Sequence, residues 1–172
     1  LEDDSTTGFI RPYEDGYSFM ALLPKEGISI EDYISHLSAE KLIGLVENVS
    51  TDYEVDAAIP KFKSEYSIEL KDTLQNMGMT DAFDEEQADF RGIGTSDNRN
   101  IYINMVLHKT YIEVDEQGTK AGASTVVGMV ETMSLYEPEI KTVHLDRPFV
   151  YAIIDTETQM PIFLGVTESV EE

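Results

Sequence analysis

The sequence predicts a mixed α+β fold, with a few short helices set apart from mostly antiparallel strands. Three observations predict it. Two strand-sized apolar runs, 149–154 and 161–166, are joined by a short polar connection, which is the pattern of a buried hairpin at the centre of a sheet. Ser29, Ser38 and Ser67 each precede a segment with apolar residues at helical spacing. Finally, the tract 119–129 alternates by twos, placing Thr119, Ala121, Ala123, Thr125, Val127 and Met129 on one face and Lys120, Gly122, Ser124, Val126 and Gly128 on the other.

The elements follow in chain order. Residues 9–13 and 17–23 are apolar runs separated by Glu14, Asp15 and Gly16, which predicts a hairpin with a glycine-containing turn. Ser29 and Asp32 have capping-box spacing, opening a helix whose Ile30, Ile34 and Leu37 share a face. A second helix follows Ser38 with Leu42, Leu45 and Val46 inward. Ser67 caps a third, in which Leu70, Leu74 and Met77 align and Gly78 ends the run. Residues 82–100 are acidic and loop-like. Residues 101–116 could form one strand of about 50 Å at about 3.3 Å per residue, with 55–62 as one partner and no second segment of comparable length for its other edge. Residues 141–145 return as a strand before the hairpin.

The small-residue tract has too little bulk to fold alone, and Gly118, Gly122 and Gly128 are poor strand interiors. It reads as a segment built to be loop and strand at different times. Inserting about twelve of its residues between two strands would form roughly twenty backbone hydrogen bonds, worth about 1 kcal/mol each net. Ordering them costs roughly 1 to 2 kcal/mol apiece. Burial on the inward face therefore decides, and a charge there would block insertion. The only charge between Gly118 and Val130 is Lys120, on the outward face.

At these residues the chain resembles a known family. Glu116, Gln117, Gly118 and Thr119, followed by Ala121, Gly122, Ala123, Ser124 and Thr125, resemble the hinge of the reactive-centre loop in inhibitory serpins. Loop insertion in that family is itself a general example of strand addition and released strain. The likeness extends in family order through 55–63, 66–74, 79–83, 88–93, 107–109, 147–149 and 162–165, nearly the whole chain. It matches roughly the C-terminal half of the serpin fold: long antiparallel strands of the main sheet, a second sheet with the buried hairpin, and short helices. With Leu1 at its start and no targeting segment in view, the chain is expected to be one partial serpin domain over 1–172, the hinge and loop lying at about 116–140.

The resemblance implies an inhibitor of serine proteases that acts by bait cleavage, acyl-enzyme trapping and insertion of the loop as an extra strand. The catalytic groups belong to the protease, so the chain is not expected to be an enzyme. Family spacing puts the bait bond at Thr132-Met133 or, in the next register, Met133-Ser134. Either bond suits an elastase-like or chymotrypsin-like serine protease. The bland reading is an exposed, cleavable loop. Lys61 matches the lysine facing the hinge glutamate, implying an ion pair with Glu116 that on a surface is worth about 0 to 1 kcal/mol. His108 matches the histidine beneath the centre of the main sheet, a polar cluster that rearranges as strands part; its partners belong to the N-terminal half. Lys120 departs from the family pattern, where glutamate is common. Family resemblance also implies an extracellular location and an N-terminal half, or another chain, covering exposed strand edges. The chain alone is not expected to inhibit.

Composition narrows the alternatives. A formal charge of −22, from 34 acidic and 12 basic residues, argues against nucleic acid and anionic membranes as partners. No apolar run approaches a bilayer span. The absence of cysteine excludes thiol chemistry and disulfides within the chain. His36, His108 and His144 lack metal-ligand spacing, Gly92 and Gly94 lack the strand, helix and third glycine of a dinucleotide site, and the acidic groups at 84–86 and 168–172 lack calcium-loop spacing. No cofactor or metal is implied. The rival reading is a non-inhibitory serpin-like binding or assembly module that uses strand addition.

Overall fold

The computed structural model describes residues 1–13, 16–97, 100–115, 118–119 and 139–170, the pair 118–119 by backbone alone. Among the described residues the elements run β1 (Thr6–Pro12), β2 (Tyr17–Pro24), α1 (Ile30–Ser35), α2 (Ala39–Glu47), β3 (Tyr53–Ala58), β4 (Phe62–Glu69), α3 (Lys71–Asn76), a 3-10 turn (Asp81–Phe83), β5 (Leu107–Asp115), β6 (Gly118–Thr119), β7 (Glu139–His144), β8 (Phe149–Asp155) and β9 (Pro161–Thr167). The chain divides into two compact units, Leu1–Phe62 with Glu113–Glu172, and Lys63–Ile112.

The first unit is built on an antiparallel sheet in the order β1-β2-β8-β9. The hairpin expected at 9–23 forms, with Gly16 at φ 78°, a backbone conformation that other residues resist. Strands β2 and β8 pair through Met20↔Ala152 and Leu22↔Val150, and that face packs under Ile30 and Tyr33 of α1 and Leu45 and Val46 of α2. The alternate positions, Phe149 and Tyr151, face an aromatic group: the Phe62 ring lies 5.6 Å from Phe149 and 4.9 Å from Tyr151, and Phe163 stacks on Tyr151 at 6.1 Å. A second, parallel pair joins β3 to β7.

In the second unit Phe83 and Ala88 are buried, and Asn100 donates its side-chain amide to the Ala88 and Glu85 carbonyls at 2.7 and 3.0 Å. The Lys71 ammonium sits 5.9 Å from the Phe83 ring centroid.

Five expectations change. Residues 101–106 are not strand, so β5 begins at Leu107 rather than Ile101. Their backbone bonds go elsewhere: Ile103 donates to the Ala82 carbonyl, Val106 donates to the Glu69 carboxylate, and the Val106 carbonyl accepts from Leu70. Residues 55–62 are not one strand beside it. Pro60 removes an amide from the ladder and divides the run, so β3 pairs with β7 while β4 joins the β4-β5-β6 sheet. Ser67 lies inside β4 and caps nothing; the Glu69 carboxylate instead accepts the Lys71 amide at 3.0 Å where α3 begins, and Met77 is 79% exposed. In α1 the inward pair is Ile30 and Tyr33, at i and i+3, and Ile34 is turned outward. Of the predicted central hairpin only β8 is buried. β9 ends the sheet order, and its Ile162 and Leu164 are exposed.

Helix caps at Ser29 and Ser38 are as expected: Ser29 Oγ accepts from the Asp32 amide at 3.1 Å and Ser38 Oγ from the Lys41 amide at 3.2 Å. Gly78, at φ 101°, ends α3.

Candidate functional site

The site to be built is the stretch between β5 and β7, and its two ends are positioned by different sheets. Along β5 the side chains alternate: Ile112 and Val114 are buried, while Glu113 and Asp115 are half-buried on the other face. At its end the chain reverses, and β6 returns antiparallel with Asp115 opposite Gly118 and Val114 opposite Thr119. The strand order β4-β5-β6 places this returning pair on the edge of β5 away from β4.

The far end begins at Glu139, where β7 pairs in parallel with β3, Tyr53 opposite Glu139 and Ala58 opposite His144. Here the Lys141 ammonium reaches the Glu2 carboxylate and lies 4.0 Å from the Tyr53 ring centroid. The hydrogen bond from Lys141 holds the Glu2 carboxyl below its usual range, and Glu2 in turn raises Lys141. His144 Nε2 stands 3.7 Å from Asp56 Oδ2. Just beyond, the Arg147 guanidinium donates twice to the Pro24 carbonyl, at 3.0 and 3.3 Å, tying the return of the chain to the end of β2.

The residues expected to carry function are distributed unevenly over this frame. Gly118 and Thr119 are in β6. Glu116, Ala121, Gly122, Ala123, Ser124 and Thr125 of the hinge, and Thr132, Met133 and Ser134 of the bait, lie outside the described residues. Lys61 is exposed between β3 and β4, and its expected partner Glu116 also lies outside the described residues. His108 is exposed on β5, at a position whose alternation matches Ile112 and Val114. The sequence reading missed Lys141, Tyr53 and Glu2. Nothing in their spacing joins positions so far apart; only the parallel register of β3 and β7 does.

What this arrangement can do is present a length of chain held at both ends, one of them already paired to a strand edge. The comparisons with known proteins agree with that frame. A family model described as serpin (serine protease inhibitor) matches residues 2–169. Serpin B10 of Sorex araneus is 34% identical over 167 residues, which is 96% of this chain and 41% of that protein. Intracellular coagulation inhibitor 2 of Tachypleus tridentatus is 37% identical over 155 residues, 90% of this chain and 36% of the relative. The crystal structure of the thermophilic serpin tengpin in its native state superposes with a TM-score of 0.75 at 47% identity, covering 98% of this chain and 43% of tengpin. The chain thus spans about two fifths of the length of these relatives. One of them is named as intracellular, so family likeness does not carry the extracellular location expected above. The family's label is that of an inhibitor rather than an enzyme, and serine proteases are its general targets. With that model spanning nearly its whole length, and its fold shared with tengpin, this chain belongs to the serpin family.

Proposed function

We propose that this chain is the C-terminal part of a serpin-type inhibitor of serine proteases, in which residues 120–138 carry the bait and β5 offers the edge for insertion. One observation carries the reading. The first two residues of the insertion tract, Gly118 and Thr119, pair in antiparallel register on the β5 edge opposite β4. Continuing that register sets Ala121 opposite Ile112, Ala123 opposite Thr110 and Thr125 opposite His108. The small residues then share the face on which Ile112 and Val114 are buried, the one where a charge would be costly.

In this mechanism a protease of elastase-like or chymotrypsin-like specificity attacks at Thr132-Met133 or Met133-Ser134. Its acyl-enzyme is carried away as the freed tract zips onto β5. Lys61 steadies Glu116 at the entry point, and His108 lies on the path of the incoming strand. Among the described residues no strand flanks β6 on its outer side. An inserting strand would then gain only one ladder of hydrogen bonds from this chain, and the second must come from the N-terminal half of the longer protein. The chain alone is a substrate.

The test is intact-mass spectrometry after brief mixing with an elastase-type protease. The longer protein should yield a covalent adduct, and this chain should yield simple cleavage between Thr132 and Ser134. Cleavage of both with no adduct would sink the inhibitor reading and favour a binding module that adds strands at its edges.

A further inference from the structure

Two backbone donors are left over where β4 runs into α3. Leu70 ends the strand and opens the helix at once. Its amide still donates to the Val106 carbonyl at 2.8 Å, but its own carbonyl accepts the Leu74 amide at 2.9 Å and is lost to the neighbouring strand. The Lys71 amide, at the first helical position, has no acceptor within its helix. The Val106 amide, one residue ahead of β5, meets no main-chain carbonyl among the described residues.

One side chain satisfies both. Glu69 Oε1 accepts the Lys71 amide and the Val106 amide, each at 3.0 Å. For Val106 the carboxylate stands in for a strand carbonyl, so the β4–β5 ladder runs one residue past the point where β4 turns away. Upstream the lead-in to β5 is loosely held: Met105 is 60% exposed, and among the described residues the next main-chain bond back runs from the Ile103 amide to the Ala82 carbonyl at 2.9 Å. Without Glu69, the start of β5 would keep only the bond from Leu70 to Val106.

We infer that Glu69 is a positioning residue, a clasp that holds the start of β5 against the corner between β4 and α3. Its part in inhibition rests on the proposed insertion mechanism; its geometry does not. In that mechanism β5 is the template, with β4 on one edge and β6 beginning on the other. An incoming strand bonds readily only to amides and carbonyls that are already aligned. A template frayed at its start must be ordered at the same time, at an entropic cost, while the acyl-enzyme stays open to hydrolysis. Loss of the clasp therefore shows as more cleaved inhibitor and less adduct. Glutamine keeps an oxygen acceptor on a side chain of the same length, whereas alanine removes it.

The experiment compares Glu69→Ala and Glu69→Gln with wild type in the longer protein, and with Ser38→Ala, which removes a helix cap in the other compact unit. Amide hydrogen exchange at Lys71 and Val106 should rise roughly tenfold in Glu69→Ala, the scale of one lost hydrogen bond, and stay near wild type in Glu69→Gln. Exchange in β8 should be unchanged in both, which separates local release from a folding defect. The ratio of adduct to cleaved product at fixed protease should fall several-fold in Glu69→Ala and be kept in Glu69→Gln and Ser38→Ala. Unchanged exchange at Val106 in Glu69→Ala overturns the clasp. Faster exchange with an unchanged ratio, or an equal fall in Ser38→Ala, overturns the role in insertion. A wild type that forms no adduct removes the inhibitor reading and that role with it, while the exchange data still decide whether Glu69 holds β5.

Discussion

Replacing Gly165 by alanine should destabilise the protein out of proportion to one methyl group. Gly165 sits in β9 opposite Tyr151 of β8, and a Cβ built on it falls 2.4 Å from both Cζ and Oη of that ring and 2.9 Å from Cε2. Ordinary contact begins near 3.4 Å, so the ring must retreat by about an ångström. Tyr151 is 1% exposed and hemmed by Phe62 at 4.9 Å, Phe163 at 6.1 Å and Phe149 at 6.2 Å, so any retreat displaces a packed aromatic cluster. Overpacking of this kind costs about 1 to 3 kcal/mol, and the lack of an escape route favours the upper half of that range. Urea unfolding of Gly165→Ala should show a lower midpoint with unchanged slope. Tyr151→Phe leaves Cζ in place and should not relieve the strain, whereas Tyr151→Leu empties the space. The Gly165→Ala and Tyr151→Leu pair should therefore be less destabilised than the sum of the single variants by about 1 kcal/mol or more. A Gly165→Ala loss under 0.5 kcal/mol, or additivity in the pair, would refute the steric argument.

Ser38→Ala should lower stability by about 0.5 to 2 kcal/mol, since Ser38 Oγ accepts the Lys41 amide at the start of α2; circular dichroism melting checks this, and an unchanged melt would remove the cap from the account. Burial works against the Asp3 carboxylate, but the Ser5 amide and hydroxyl, Lys41 and the Thr6 amide outweigh it and hold the group below its usual range. A depressed carboxyl contributes stability that is full above the unfolded value and is lost as pH falls through the folded one. The urea midpoint should thus fall on acidification below about pH 5, and Asp3→Asn should flatten that fall. In the proposed insertion, Ala123→Arg would place a charge on the inward face of the inserted strand. Mass spectrometry should then find cleavage with little or no adduct, and full adduct formation would contradict the assigned face.

Local chemistry was legible in the sequence where neighbours in the chain decide it. The hairpin turn at Gly16, the caps at Ser29 and Ser38, the stop at Gly78 and the inward Leu45 and Val46 all depend on a few adjacent residues. What failed depended on distant partners. Ser67 looked like a cap, but a glutamate two residues later reaches both the Lys71 and Val106 amides and ends the strand instead. Residues 101–106 have the apolar content of a strand, yet their hydrogen bonds run to Ala82, Glu69 and Leu70. Lys141 is a further case: a lysine in an acidic chain reads as solvated until the β3–β7 register brings Tyr53 beneath it.

Lys120 is the position at which the chain departs from the family pattern. In the proposed insertion, continuing the β5–β6 pairing of Val114 with Thr119 would set Lys120 directly opposite Glu113, which is half-buried on the outward face of β5. Glutamate at that position would oppose Glu113 with a like charge; lysine opposes it with an unlike one. Directly opposite cross-strand pairs differ by about 0.2 to 1 kcal/mol, which at one rate-limiting pairing step is about a 1.4- to 5-fold change in insertion rate. Lys120→Glu should therefore raise the fraction of the longer protein that is cleaved without trapping the protease. Adding Glu113→Lys should restore the balance by reversing the pair. The ratio of adduct to cleaved product at fixed protease reads both outcomes. If Lys120→Glu leaves the ratio unchanged, or Glu113→Lys fails to rescue it, the inserted strand does not continue the register that Gly118 and Thr119 begin.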